Sequence, residues 1–155
     1  MNHLIWPASL AGLMSTAVIF GTDMFFLTIG RPALRSAAES AATEVRGFIH
    51  VFGDRRIPMW GALAILSNFL LVLFSRSGHR AFYLLSLSML TLSVVIYNRL
   101  SKPINRLQTE GAKTGRRLHN ARGLQASWDR ALVIRFPLLV VSLFAQFAAL
   151  VATSA

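Results

Sequence analysis

The feature that most constrains this chain is the grouping of its apolar residues into four blocks, at about residues 10–29, 59–74, 81–97 and 131–153. A membrane span needs roughly 18 or more mostly apolar residues. The second block is the shortest, and Trp60 and Arg76 serve as interfacial anchors at its two ends. A soluble four-helix bundle requires a polar stripe along every helix, and these blocks are apolar nearly all round. Only 14% of the residues are charged and 54% are hydrophobic, whereas soluble proteins average about 25% charged. The predicted fold is all-α: an integral membrane four-helix bundle forming one transmembrane domain over residues 1–155.

The opening MNHLIWPASL carries no Lys or Arg before the first block, so it lacks the charged leader of a secretory signal, and the first block is expected to stay as a helix. The absence of cysteine excludes disulfides, thiolate metal sites and a thiol nucleophile.

The formal charge of +10 is placed unevenly. Arg31, Arg35, Arg46, Arg55 and Arg56 follow the first block, and a second basic group from Arg99 to Arg130 follows the third. The turn SRSGHR between blocks two and three holds just Arg76 and Arg80, and the termini hold none. The positive-inside tendency puts segments 31–57 and 99–130 in the cytoplasm and both termini outside. The charges flank spans without any nucleic-acid-binding motif, so contact with anionic lipid is expected and nucleic acid is not.

Ser36 and Glu39 read as a capping box. It would open an amphipathic helix in the first cytoplasmic loop, with Ala38, Ala41, Val45, Phe48, Ile49 and Phe52 on its apolar face and Gly53 ending it. Such a helix lies on the membrane or caps the bundle, and Pro58 then suits the first turn of span two. In the second loop, Gly111 and Gly115 predict a turn with a short helix on either side. His119 stands among arginines and reads as solvated. His50 and Asp54 are spaced for one helix face, yet two ligands are a weak metal signal, so no metal is predicted; if one is present, these two would hold it. No phosphate loop, nucleophile elbow, HExxH or internal repeat occurs.

Polar residues inside the spans are the informative ones, since each must face protein or water. Ser88, Thr91, Asn98 and Lys102 fall on one stripe of span three; Trp128, Arg135, Ser142, Gln146 and Thr153 on one of span four; Gly61, Ala64 and Asn68 on one of span two; and Thr16, Asp23 and Gly30 on one of span one. Asn68, Ser88, Ser142 and Gln146 read as hydrogen-bonding glue between helices. Asp23 and Arg135 are costlier, at about 2.5–3.5 kcal/mol each at mid-membrane. Asp23 lies about 12 Å of helix rise from Arg31, and Arg135 is one to two turns past Arg130. The two charges are therefore expected to meet, with Asn98 entering from span three. That meeting is either a structural ion pair or one side of a polar pocket.

RPAL after span one, YNRLSKPINRL at the end of span three and WDRALVIR entering span four together resemble the anthrone-oxygenase-like integral membrane family, over about residues 11–151. Its members are small four-helix membrane proteins, few of them with an assigned reaction. The matching motif positions are Pro32, Asn98, Pro103, Asn105, Trp128 and Arg135. Many members carry a His about three residues before the final Arg, where this chain has Leu132, Val133 and Ile134.

The resemblance implies an oxygenase acting with O2 on a flat, hydrophobic anthrone- or polyphenol-like aromatic, by base-assisted carbanion formation without a metal or flavin. Asp23 is the base candidate by burial; with Arg135 as its partner, His50 takes that role. Arg135 and Asn98 would stabilise the oxyanion, with Trp128, Tyr97 and Asn105 binding the substrate. The alternatives are a non-catalytic membrane binding protein or accessory subunit, and a metal- or haem-dependent oxidoreductase using His50 and Asp54 with His119 or Asp23. An oligomer is compatible with all three, and the arginine-rich, cysteine-free composition points to a bacterial plasma membrane.

Overall fold

The computed structural model describes residues 2–116 and 118–154, and among these every element is helical. Helix α1 (Asn2–Phe25) runs through a π-turn (Phe26–Gly30) into the short α2 (Arg31–Ser36). Helix α3 (Glu39–Phe74) is 36 residues long, and α4 (Ser77–Ile96) continues through a second π-turn (Tyr97–Ser101) into α5 (Lys102–Thr114). Helix α6 (Ala121–Ser154) closes the chain's described part. Helices α1, α3, α4 and α6 form a ring, each packed on its two neighbours, and α5 lies against the first half of α3.

Four helical stretches are long and apolar enough to cross a membrane, and the distribution of side chains suits lipid rather than water. Large apolar residues such as Met14, Met59, Leu66 and Phe144 point outward, while Ser15, Thr16, Asn68, Ser86, Ser142 and Gln146 are buried between the helices. Apolar residues gain nothing by leaving lipid for the interior, so small and hydrogen-bonding side chains take the interface. Ser86 Oγ meets Ser142 Oγ at 2.8 Å, and Gln146 Nε2 donates to Thr16 Oγ1 at 2.9 Å. Two apolar clusters fill the remainder, one around Ala64, Leu90 and Leu139, the other around Leu71, Tyr83 and Ala149.

At 1.5 Å per residue, α3 spans about 54 Å, well beyond the roughly 30 Å of a hydrocarbon core. Its first half is the amphipathic stretch read from the sequence, now continuous with span two. Gly53 does not end it: a mid-helix glycine costs only about 1 kcal/mol, and a Cβ there would meet nothing within 4 Å. Pro58 sits inside α3 instead of opening a helix, leaving the carbonyl of Asp54 without its usual donor. Gly47 and His50 meet α5 and Ala42 is buried as well, whereas Val45, Phe48 and Phe52 point outward. The expected capping box does not form, because Ser36 belongs to α2 and its hydroxyl donates to the Pro32 carbonyl at 3.1 Å.

Gly111 likewise lies within α5. The helix ends at Gly115, whose φ of +64° is the left-handed conformation that favours glycine at a helix end. Asn120 then caps α6, its side-chain oxygen accepting from the Gly123 N–H at 3.1 Å.

The span-three stripe is rotated from its expected place. Ser88, Thr91 and Asn98 are exposed, each bonded to the carbonyl four residues earlier; this back-bonding satisfies the polar group locally and lets it face away from the bundle. The inward row is Tyr83, Ser86, Leu90 and Ser93, continued by Ser101. Asn68, Ser142 and Gln146 do sit between helices; the Asn68 amide donates within α3, to Ala64. The side chain of Thr153 lies outside the described residues.

Candidate functional site

Both π-turns precede a proline by the same interval. The Arg31 N–H reaches the Phe26 carbonyl, and the Lys102 N–H reaches the Tyr97 carbonyl, one residue further than in an α-helix. Pro32 and Pro103 supply no N–H and crowd the carbonyl four residues back, and the widened turn absorbs that crowding. Such turns recur at functional sites. Here each begins with an aromatic residue, Phe26 or Tyr97, that lines the same cavity.

That cavity, of about 450 Å³ and partly open, lies between α1, α3, α4 and α6, at the end of the bundle carrying the arginine-rich segments. Its walls are mainly apolar, with Ile19, Ile57, Ile65, Leu90, Val94 and Leu139 among them. Gly53 and Gly61 leave room along α3, where a Cβ would meet either nothing or a single methyl at 3.9 Å.

Asp23 and Arg135 meet as expected. Arg135 Nε donates to Asp23 Oδ2 at 2.9 Å, and Arg135 Nη2 pairs with Asp23 Oδ1. The fork-to-fork geometry is the strong form of this contact. Asn98 does not join them, since its amide is bonded to Val94 on its own helix, and it lies at the rim, lining both the cavity and a shallow groove outside. Tyr97 comes from span three in its place, with the Arg135 guanidinium carbon 5.7 Å from the ring centre.

A second polar group sits closer to the basic segments. The Tyr97 hydroxyl donates to Asp54 Oδ1 at 2.7 Å, and Asn105 Nδ2 donates to the same oxygen at 2.8 Å. Asn105 Oδ1 accepts the Trp128 indole N–H at 2.9 Å. The Trp128 ring is packed between Phe26 and His50, with ring centres 5.4 and 5.6 Å apart. His50 Nε2 lies 2.9 Å from Gln108 Oε1. Gly47 makes this meeting of α3 and α5 possible, because a Cβ there would fall 2.4 Å from the Gln108 carbonyl oxygen.

The site residues expected from the sequence thus line one cavity: Asp23, His50, Asp54, Tyr97, Asn98, Asn105, Trp128 and Arg135. His119 is exposed in the turn before α6 and stands outside it. Among the described residues no three His, Cys, Asp or Glu side chains are grouped to hold a metal ion. Phe26 and Gln108 escaped the sequence reading. The signal for Phe26 was an aromatic residue six positions before a proline, repeated at Tyr97 and Pro103. Gln108 carried no signal at all.

Fold and site together define a class: a helical membrane bundle with a partly open, mostly apolar cavity in which ionic and hydrogen-bonding side chains converge at one end. Comparison with protein-family models, curated proteins and solved structures finds no match to this chain.

Proposed function

We propose that the protein is a membrane-embedded, oxygenase-like enzyme that takes a flat, phenol-like aromatic, of the anthrone or polyphenol kind, from the bilayer into this cavity. The observation that carries the reading is a cavity of about 450 Å³ with apolar walls and an imidazole, a guanidinium and a phenol on one side. Its size falls within the roughly 300–1,000 Å³ of small-molecule sites. The sequence resemblance described above supplies the substrate class.

His50 is the base, because the carboxylate of Asp23 is occupied by both arms of Arg135. The imidazole removes a proton from the activated CH₂, leaving a carbanion delocalised onto the ring oxygen. Arg135 has five N–H groups, so donors remain beyond those given to Asp23 to stabilise that oxyanion. The carbanion gives one electron to O2, the two radicals combine as a peroxide anion that takes the proton back from the His50 imidazolium, and loss of water from the resulting hydroperoxide yields the ketone. The CH₂ is thereby oxidised by four electrons and one O2 is reduced, with one oxygen atom in the product and one in water. Asp54, Tyr97, Asn105 and Trp128 form a fixed polar wall that positions the substrate. No metal or flavin takes part in this scheme. The basic segments face the cytoplasm of a bacterial plasma membrane, where their arginines contact anionic headgroups.

A non-catalytic binding protein is the second reading, favoured by the complete engagement of the Asp23 carboxylate. Detergent-purified protein given a hydroxyanthrone and ¹⁸O₂ separates the two. The enzyme reading expects quinone carrying one labelled oxygen and a loss of about 10²–10⁴-fold in rate for His50→Gln. Folded protein that binds the aromatic without turning it over overturns it.

A further inference from the structure

Behind His50, away from the cavity, an uninterrupted line of buried side chains crosses three helices. Gln108 Oε1 of α5 faces His50 Nε2 at 2.9 Å, and Gln108 Nε2 faces Gln125 Oε1 of α6 at 3.5 Å, the longest link. Gln125 Nε2 meets Asp129 Oδ1 at 2.6 Å, and Asp129 Oδ2 accepts from Arg35 Nη2 at 2.7 Å, with Arg31 Nε beside it at 3.2 Å as an ion-pair contact that makes no hydrogen bond. His50, Gln108, Gln125 and Asp129 are all buried. We propose that Asp129, Gln125 and Gln108 form a positioning relay that dictates the tautomer of His50, holding its proton on Nε2 and leaving Nδ1 as the lone-pair nitrogen.

The argument is one of hydrogen-bond polarity. A carboxylate only accepts and an arginine only donates, whereas an amide and an imidazole each do both, from different atoms. Asp129 therefore obliges Gln125 to present its NH₂ group, which turns the Gln125 oxygen toward α5. Gln108 must answer with its own NH₂, which turns its oxygen to the imidazole. Only an Nε2–H satisfies that oxygen. Reversing any one amide sets two acceptors or two donors against each other at a buried site, where an unmade hydrogen bond costs about 1–3 kcal/mol. Arg35 fixes the far end, because its N–H requires an acceptor at Asp129 Oδ2, and the Arg31 charge beside it favours an oxygen there.

The relay deepens the proposed function, and its catalytic consequence rests on that reading: Nδ1 would be the atom that takes the proton. The tautomer itself is measured without substrate. Full-length protein labelled with ¹⁵N-histidine in lipid nanodiscs is observed at a pH where the imidazoles are neutral. The His50 signals are assigned as those lost in His50→Gln. The expected result is a single Nε2–H tautomer whose N–H is protected from solvent exchange; an Nδ1–H form, or fast exchange, overturns the proposal.

Asp129→Asn gives the sharper outcome. Arg35 donates to the oxygen of the new amide and the Arg31 charge favours it there, so the NH₂ faces Gln125 and every link reverses. His50 is then expected to switch to Nδ1–H, and an unchanged tautomer in that folded variant overturns the proposal. If Asp129→Asn does not fold, Gln108→Leu decides: the protected Nε2–H signal must be lost, and its persistence refutes the relay. Quinone formation, assayed separately, can fail while the tautomer pattern holds, which would sink the oxygenase reading and leave the relay intact.

Discussion

Replacing Arg135 with methionine strands a carboxylate inside the bundle. The side chain of Asp23 is 3% exposed and that of Arg135 11%, and the two share a pair of hydrogen bonds. Removing one partner of a buried pair leaves an uncompensated charge and costs about 3–5 kcal/mol. The contact with the Tyr97 ring, lost at the same time, adds roughly 0.5–1 kcal/mol. For a chain of this size each kcal/mol moves the midpoint by about 2–4 °C, so Arg135→Met should lower Tm by about 7–24 °C. Asp23→Leu strands the arginine and should fall at the low end of that range, since a long side chain can snorkel. The double variant removes both charges. Buried pairs replaced by apolar residues of similar volume are often neutral or better, so its Tm is expected to return close to that of the parent. Thermal unfolding in detergent, followed by helix signal and by monodispersity, measures all three. A double variant no more stable than the worse single one would refute the view that the charges matter to stability chiefly through each other.

Three further outcomes follow from particular contacts. Gly47→Ala places a methyl 2.3 Å from Ala112 Cβ and 2.4 Å from a backbone oxygen, so α3 and α5 must separate, at about 1–3 kcal/mol of overpacking, seen as a lower Tm. Ser86→Leu inserts bulk at a fully buried hydroxyl pair and should cost about 1–3 kcal/mol, whereas Ser88→Leu, on the exposed face, should stay within about 0.5 kcal/mol; equal effects would show that α4 is rotated from its described orientation. A double-mutant cycle of Thr16→Val and Gln146→Leu should report a coupling of about 0.6 kcal/mol, the typical value for such bonds in membranes, read by unfolding in mixed micelles.

Much of the scaffold was legible beforehand because it depends on composition along the chain. Four apolar blocks and a turn at SRSGHR required four antiparallel helices, and the rarity of charge inside them singled out Asp23 and Arg135. Helix ends are less legible. Ser36, Gly53, Pro58 and Gly111 carry local signals for starting or stopping a helix, worth about 1 kcal/mol each for the cap and the glycines and about 3 kcal/mol for the proline, and tertiary packing, α3 against α5 above all, outweighs them. Faces were harder still. Ser88 and Thr91 look like inward polar residues by spacing, yet a hydroxyl that bonds back to its own helix is free to point outward.

Sequence alone therefore determined that the chain is a four-helix membrane bundle with a costly acid and base near its basic end, because burial in lipid is decided by side-chain type and run length. The tertiary structure decided that Asp23 and Arg135 neutralise each other, that Tyr97 rather than Asn98 accompanies them, and that His50 is tied through Gln108 and Gln125 to Asp129. Those relations depend on which faces of distant helices meet, set here by two π-turns and by the close approach at Gly47. No local periodicity encodes a contact between residues 50, 108 and 125; only the packing of three helices brings them into line.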